Sequence, residues 1–174
     1  MDTELKARLT SALFGAPLVN NAFRGILVEA MLSQVLEPTW LWCSADWASH
    51  DFENADGIKL EVKQSTALQS WHEPGLRPNS GNFDIRARTG RYEGARWIQE
   101  AGRAAHIYVF GWHGITKEKI ADHRRADQWQ FYVLGSADLP AQKSIALSRL
   151  ATLTEPIEIA QVVDRIASIL GEGP

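Results

Sequence analysis

The run His50-Asp51-Phe52-Glu53-Asn54-Ala55-Asp56-Gly57-Ile58-Lys59-Leu60-Glu61-Val62-Lys63 brings two carboxylates and a lysine together only if the chain doubles back on itself. Asp-Gly between alternating segments is a hairpin signal. If Ala55, Asp56 and Gly57 form a three-residue loop with Gly57 left-handed, Asn54 pairs with Ile58, Phe52 faces Leu60 and Asp51 falls opposite Glu61. Asp51, Glu61 and Lys63 then share one face. An even loop would move Asp51 to the other side, and the match of Phe52 with Leu60 on the apolar face favours the odd one. Carboxylates directly opposite across two strands have Cβ atoms about 5 Å apart, and this like-charge pair needs a cation or a proton between its members. Hard oxygen ligands so placed suit Mg²⁺, which takes one or two protein carboxylates and fills its shell with waters and phosphate oxygens. The plainer reading is a solvated hairpin face carrying a salt bridge. Asp56 also precedes Glu-x-Lys, but an aspartate before glycine is accounted for by turn chemistry. Two carboxylates at this separation would also suit a retaining glycosidase, against which stand the adjacent lysine and the lack of a sugar-cleft pattern.

Helices and strands must position this hairpin. Leu5, Leu9 and Leu13 recur every four residues and predict a helix over Thr3 to Phe14, ended by Gly15-Ala16-Pro17. A second helix runs from an N-cap at Asn20 or Asn21 to about Leu36, with Ile26, Leu27, Ala30, Met31 and Val35 as its apolar stripe and Glu29 beside it. From Trp40 the period becomes two, and Trp40, Trp42 and Trp47 suggest one short strand leading into another. Ile58, Leu60 and Val62 alternate with Lys59, Glu61 and Lys63, as expected of a strand with one buried and one charged face. Phe83 to Ala87, His106 to Trp112, Trp129 to Leu134 and, more weakly, Ser144 to Leu147 are further strands. Trp71 to Ala104 reads as a long irregular loop around one short strand. Pro156 to Leu170 ends the chain as an amphipathic helix before Gly171, with a flexible tail over 171–174. The expectation is an α/β fold of one domain over residues 1–174, two N-terminal helices preceding a mixed sheet.

The 174 residues, 45% apolar and 22% charged, exclude disordered and fibrous classes and suffice for one packed core. Cys43 is the single cysteine, so intrachain disulfides and multi-cysteine metal sites are excluded, and the residue reads as core. Neither a secretory leader nor an apolar run of the roughly 18 residues a membrane span needs is legible, which makes the expected location cytoplasmic, with no membrane partner. The net charge of -3 argues against a uniformly basic surface. Between Pro74 and Ala105, however, six arginines (Arg77, Arg86, Arg88, Arg91, Arg96 and Arg103) face three acids, a local +3. Arg77, Arg86, Arg88 and Arg91 could follow a phosphate backbone, and Gln69 or Trp71 could contact a base or sugar. Lys117, Lys119, Arg124 and Arg125 form a weaker basic cluster. The five histidines lack a paired metal spacing, with His50 set apart by its position next to Asp51.

Asp51 followed after ten residues by Glu61-Val62-Lys63 resembles the signature of the PD-(D/E)XK nuclease superfamily, an acid on one strand and Glu-x-Lys on the next. Glu29 matches the acid that the superfamily carries in a preceding helix. His50 stands where the proline of the motif's name would be. Over roughly residues 20–150, Glu61-Val62-Lys63-Gln64-Ser65, Gln69-Ser70-Trp71, His106-Ile107-Tyr108-Val109-Phe110 and Gln128-Trp129-Gln130-Phe131-Tyr132-Val133 look like a group of bacterial members. The resemblance implies a restriction endonuclease-like core and a Mg²⁺-dependent hydrolysis of phosphodiesters, with Mn²⁺ as a substitute and DNA as the favoured substrate. It further implies that Asp51, Glu61 and the Val62 carbonyl hold the metal and that Lys63 orients the attacking water or stabilises charge. Glu29 would serve a second metal or a metal-bound water, and Gln64 would help position the nucleophile. Restriction, defence and repair roles are all compatible, as is a homodimer that cuts both strands. The alternative is a nuclease fold that binds nucleic acid or a protein without cutting.

Overall fold

The computed structural model describes residues 1–43, 48–93 and 95–171, and Trp47 and the end of the expected tail lie outside them. Helix α1 spans Thr3–Phe14, with the Asp2 side chain accepting from the Leu5 amide, and α2 spans Asn21–Leu36, capped by the Asn20 side chain on the Ala22 amide. Strands β1 (Trp40–Trp42), β2 (Phe52–Asn54) and β3 (Lys59–Thr66) follow, then β4 (Asn82–Asp84), β5 (Arg91–Glu93), β6 (Arg96–Ile98), β7 (Ile107–His113), β8 (Trp129–Gly135) and β9 (Ser144–Ala146). Two further helices, α3 (Leu147–Leu150) and α4 (Val162–Leu170), complete the order.

The fold is mixed α/β, with a five-stranded sheet in the order β1-β2-β3-β7-β8 and helices at both ends of the chain. Only the β3–β7 pair is parallel. Period two divides the sheet's side chains between two cores. On one face Phe52, Leu60, Val62, Ile107, Val109, Phe131 and Val133 pack against Val28, Met31 and Leu32 of α2 and Val162 and Ile166 of α4. On the other, Tyr108, Phe110, Trp112, Tyr132 and Leu134 pack against Phe83 of β4, Ile145 of β9 and Leu150 of α3. The β4–β9 pair forms a small second sheet, and β5–β6 forms a third.

Several elements differ from their sequence patterns for definable reasons. The α2 stripe is rotated: Ile26 is 53% exposed, and the buried line runs through Arg24, Val28, Met31, Leu32 and Leu36. Helix α1 forms, yet Leu5 and Leu9 stay exposed and none of its residues is buried, because its spacing specifies a face without supplying a surface to cover it. The stretch from Trp71 to Ala104 holds three short strands rather than one. The C-terminal helix starts at Val162, since Ile157 bridges to Phe131 of β8 and Glu158 with Gln161 forms a capping box at the turn that follows. Gly171, at φ 76°, ends that helix in the left-handed conformation that glycine adopts without a Cβ penalty. Cys43 lies outside both apolar clusters, a correction to its reading as core, because the polar His50 and Glu53 surround it.

Candidate functional site

The hairpin between β2 and β3 takes the odd register. Phe52 pairs with Leu60 and Glu53 with Lys59, the Asn54 amide donates to the Ile58 carbonyl, and Gly57 turns the chain at φ 74°. The Asn54 side chain closes the loop by accepting from the amides of Asp56 and Ile58 at 3.1 and 2.8 Å. The ladder stops one residue short of the expected pair. The Asp51 amide donates to the Leu60 carbonyl and its own carbonyl accepts from Cys43, while its carboxylate Oδ2 accepts from the Val62 amide at 2.6 Å. Asp51 thus reaches across to β3 through its side chain, in the place a backbone carbonyl would occupy.

Burial, then the charges of Glu61 and Glu29, push the Asp51 carboxyl up to about 7, against the opposing pull of the Val62 amide and of Lys63. Three carboxylates therefore act on one another here, with one lysine as partial compensation. Lys63 donates to the Glu61 carboxylate in a short ion pair. Glu29 comes from α2, its Oε2 accepting from the indole Nε1 of Trp42 at 3.0 Å. Glu61 and Lys63 stand in register with Tyr108 and Phe110 of β7, and where the apolar layer ends they line a cleft of about 750 Å³. Its other walls include Lys59, Asp84, Arg86, Arg88, Tyr92, Trp97 and Tyr108, whereas Asp51 and Glu29 stand outside the lining. Burial and the Glu61 charge push the Tyr108 phenol up to about 12, so it faces the cleft as a neutral donor.

Gln64 points with Leu60 and Val62 toward α2, away from Lys63. Its Oε1 accepts from Arg24 Nε at 2.6 Å, and Gln69 Oε1 accepts from the same guanidinium at 3.0 Å. Arg24 is 1% exposed, and burial lowers it to about 10. Val62 itself is core on that face, with its amide committed to Asp51. Among the arginines, Arg86, Arg88 and Arg103 line the cleft, the first two each 3.3 Å from Asp84. Arg77 is exposed outside the cleft, and Arg91 lies in β5, where only its backbone is described. Arg103 is structural: it donates to the carbonyls of Ile85, Ser136, Leu139 and Pro140. Arg124 and Arg125 fold back onto Asp122 and Asp127.

Sequence reasoning passed over Arg24, Asp84 and the Tyr92–Trp97 pair. Arg24 had a signal, since it occupies the i, i+4, i+7 line of Val28 and Met31 where an apolar residue belongs. Asp84 had none. It enters the cleft because β4 packs beside β3, and the Arg86 amide with the Arg88 and Arg86 charges outweighs burial and holds its carboxyl below the usual range. Tyr92 and Trp97, opposite one another on β5 and β6 with ring centroids 5.0 Å apart, form an aromatic wall.

Among the described residues, one group of three ligand-type side chains has its donor atoms within 4.8 Å of one another, namely Cys43, His50 and Glu53; Glu29, Asp51 and Glu61 are more widely spread. No helix among the described residues is long and apolar enough to cross a membrane. No family model and no curated protein sequence matches the chain. Among solved structures, a bacterial homing endonuclease is similar over 73% of this chain and 77% of its own, at 19% identity and a TM-score of 0.39. So loose a likeness bears on neither substrate nor mechanism.

Proposed function

We propose that the chain is a Mg²⁺-dependent endonuclease of the PD-(D/E)XK type, a single cytoplasmic domain over residues 1–174 that hydrolyses phosphodiesters in DNA, with pairing of two copies to cut both strands. The observation that carries this reading is the hairpin register, which sets the Asp51 carboxylate on the Val62 amide beside Glu61 and Lys63, where burial and then the Glu61 and Glu29 charges push its carboxyl up. An all-oxygen donor set with surplus negative charge fits a hard divalent ion, which needs only one or two of these carboxylates and fills the rest of its shell with water and phosphate oxygens.

In this reading Asp51 and Glu61 would hold the ion, and Glu29 would hold an outer water or a second ion. When bound, the ion lowers the pKa of a water and offsets charge on the scissile phosphate. Lys63, paired with Glu61 in the metal-free chain, would donate to the attacking water or to a phosphate oxygen. Tyr108 and the Arg86 and Arg88 side chains, all in the cleft wall, offer donors to the flanking phosphates. Gln64, held by Arg24, sets where α2 lies against β3 and so where Glu29 stands.

A second reading, a binding module without cleavage, draws on one specific feature: Lys63 already satisfies Glu61 directly, as a surface salt bridge would. The two part on Lys63→Ala. With Mg²⁺ or Mn²⁺ and a panel of duplex, single-stranded and branched DNA and RNA, the wild-type chain is expected to cleave at least one DNA substrate and Lys63→Ala to lose on the order of 100-fold or more in rate. Retained cleavage in Lys63→Ala contradicts the mechanism, and no cleavage by the wild type with nucleic-acid binding intact selects the second reading.

A further inference from the structure

Beside Asp51, but on different donors, lies the cluster of Cys43, His50 and Glu53. Cys43 follows β1, His50 precedes Asp51 and Glu53 lies in β2, so the three sit where the β1–β2 pair closes. The Cys43 Sγ is 3.6 Å from His50 Nε2, and the Glu53 Oε2 is 3.0 Å from that same nitrogen. In a nucleophile–histidine–acid relay the thiol and the carboxylate contact opposite ring nitrogens. Here both converge on one, and the other, Nδ1, is occupied by the Ser49 hydroxyl at 3.1 Å. The thiol also donates to the Leu41 carbonyl at 3.5 Å, so no proton need lie between sulfur and nitrogen, and one cation can take the sulfur, the nitrogen and the carboxylate oxygen together.

We propose that Cys43, His50 and Glu53 form a metal site for Zn²⁺, distinct from the carboxylate site of Asp51 and Glu61. Zinc bonds of about 2.3 Å to sulfur and about 2.0 Å to nitrogen and oxygen, at tetrahedral angles, put sulfur and nitrogen about 3.5 Å apart and nitrogen and oxygen about 3.3 Å apart. The observed sulfur–nitrogen and nitrogen–oxygen separations of 3.6 and 3.0 Å fall within a few tenths of an ångström of these. Thiolate, imidazole and carboxylate together select zinc over magnesium, which favours oxygen donors alone. The thiolate and carboxylate charges balance a dication. As the sulfur–metal bond forms, the thiol proton leaves to solvent, and the imidazole keeps its one proton on Nδ1, directed at the Ser49 oxygen, which fixes the ring. Three protein ligands leave a fourth position for water. The bound ion would staple the end of β1 to β2 around Asp51, whose carbonyl already accepts from the Cys43 amide at 2.8 Å.

Co²⁺ titrated into the reduced, metal-free full chain tests this. The expected result is one equivalent bound with a thiolate-to-cobalt charge-transfer band in the near ultraviolet, bleached by Zn²⁺ and insensitive to excess Mg²⁺. Cys43→Ser should remove the band, and Glu53→Gln should weaken binding by about tenfold or more, with circular dichroism verifying that both fold. Asp51→Asn and Glu61→Gln should leave the band intact, which separates this site from the proposed catalytic one. Cobalt binding without the band, a band unchanged in Cys43→Ser, or cobalt binding lost only in Asp51→Asn and Glu61→Gln would overturn the proposal while leaving the nuclease reading standing.

Discussion

The two faces of β3 carry the same alternating sequence into different environments. Leu60 and Val62 enter the core under α2, whereas Glu61 and Lys63, one residue out of phase, emerge beside Tyr108 into the cleft. The contrast shows how an eight-residue strand separates packing from charge: one face is paid for by packing, and the other holds charges that packing alone would not favour. Asp51 joins the two, because it takes its hydrogen bond from the amide of Val62, a core residue, and its electrostatics from Glu61.

Substitutions should respect that division. The largest effect is expected for Lys63→Ala and Glu61→Gln, each losing on the order of 100-fold or more in metal-dependent cleavage while the urea midpoint stays near that of the wild type; a matching loss of stability would merge the two faces. On the other face, Leu60→Ala should cost about 2–5 kcal/mol in urea unfolding, because Leu60 is fully buried, while the remaining folded fraction keeps its cleavage rate.

Asp51 should reveal the coupling through pH. Its folded-state value lies above the ordinary carboxyl value, so it contributes stability that is fully present below about pH 4 and is lost as pH rises through about 7. The metal-free wild type should therefore lose on the order of a few kcal/mol between these limits relative to Asp51→Asn, measured by urea unfolding across pH. Saturating Mg²⁺ should reduce the difference by stabilising the ionised form. Equal pH profiles for the two proteins would place Asp51 outside the charge cluster. The smallest effect is expected for Arg88→Ala, which should lower the slope of log binding constant against log salt by about one for a DNA ligand, as loss of one phosphate contact requires.

What the sequence disclosed follows the same physics. The hairpin was legible because Asp56-Gly57 and the Phe52–Leu60 match constrain parity together, and parity decides which residues share a face. The detail at Asp51 was not, since its side chain replaces a ladder bond that strand patterns presuppose. Gln64 follows Lys63 in the chain but faces α2, where Arg24 binds it, a placement governed by a buried charge in a helix 40 residues away. The convergence of Cys43, His50 and Glu53 was out of reach for another reason: C-x₆-H-x₂-E matches no ligand spacing, and the three meet only because the chain returns beside β1. Likewise β5 and β6, three residues each, are too short to print a period.

The nuclease proposal requires that Asp51 and Glu61 hold one divalent ion between them. Calorimetric titration of Mn²⁺ into the wild type, Asp51→Asn and Glu61→Gln, with Zn²⁺ already present to fill any thiolate site, tests it most directly. The expected result is saturable binding by the wild type and its loss in both variants. Equal Mn²⁺ affinity in all three would contradict it.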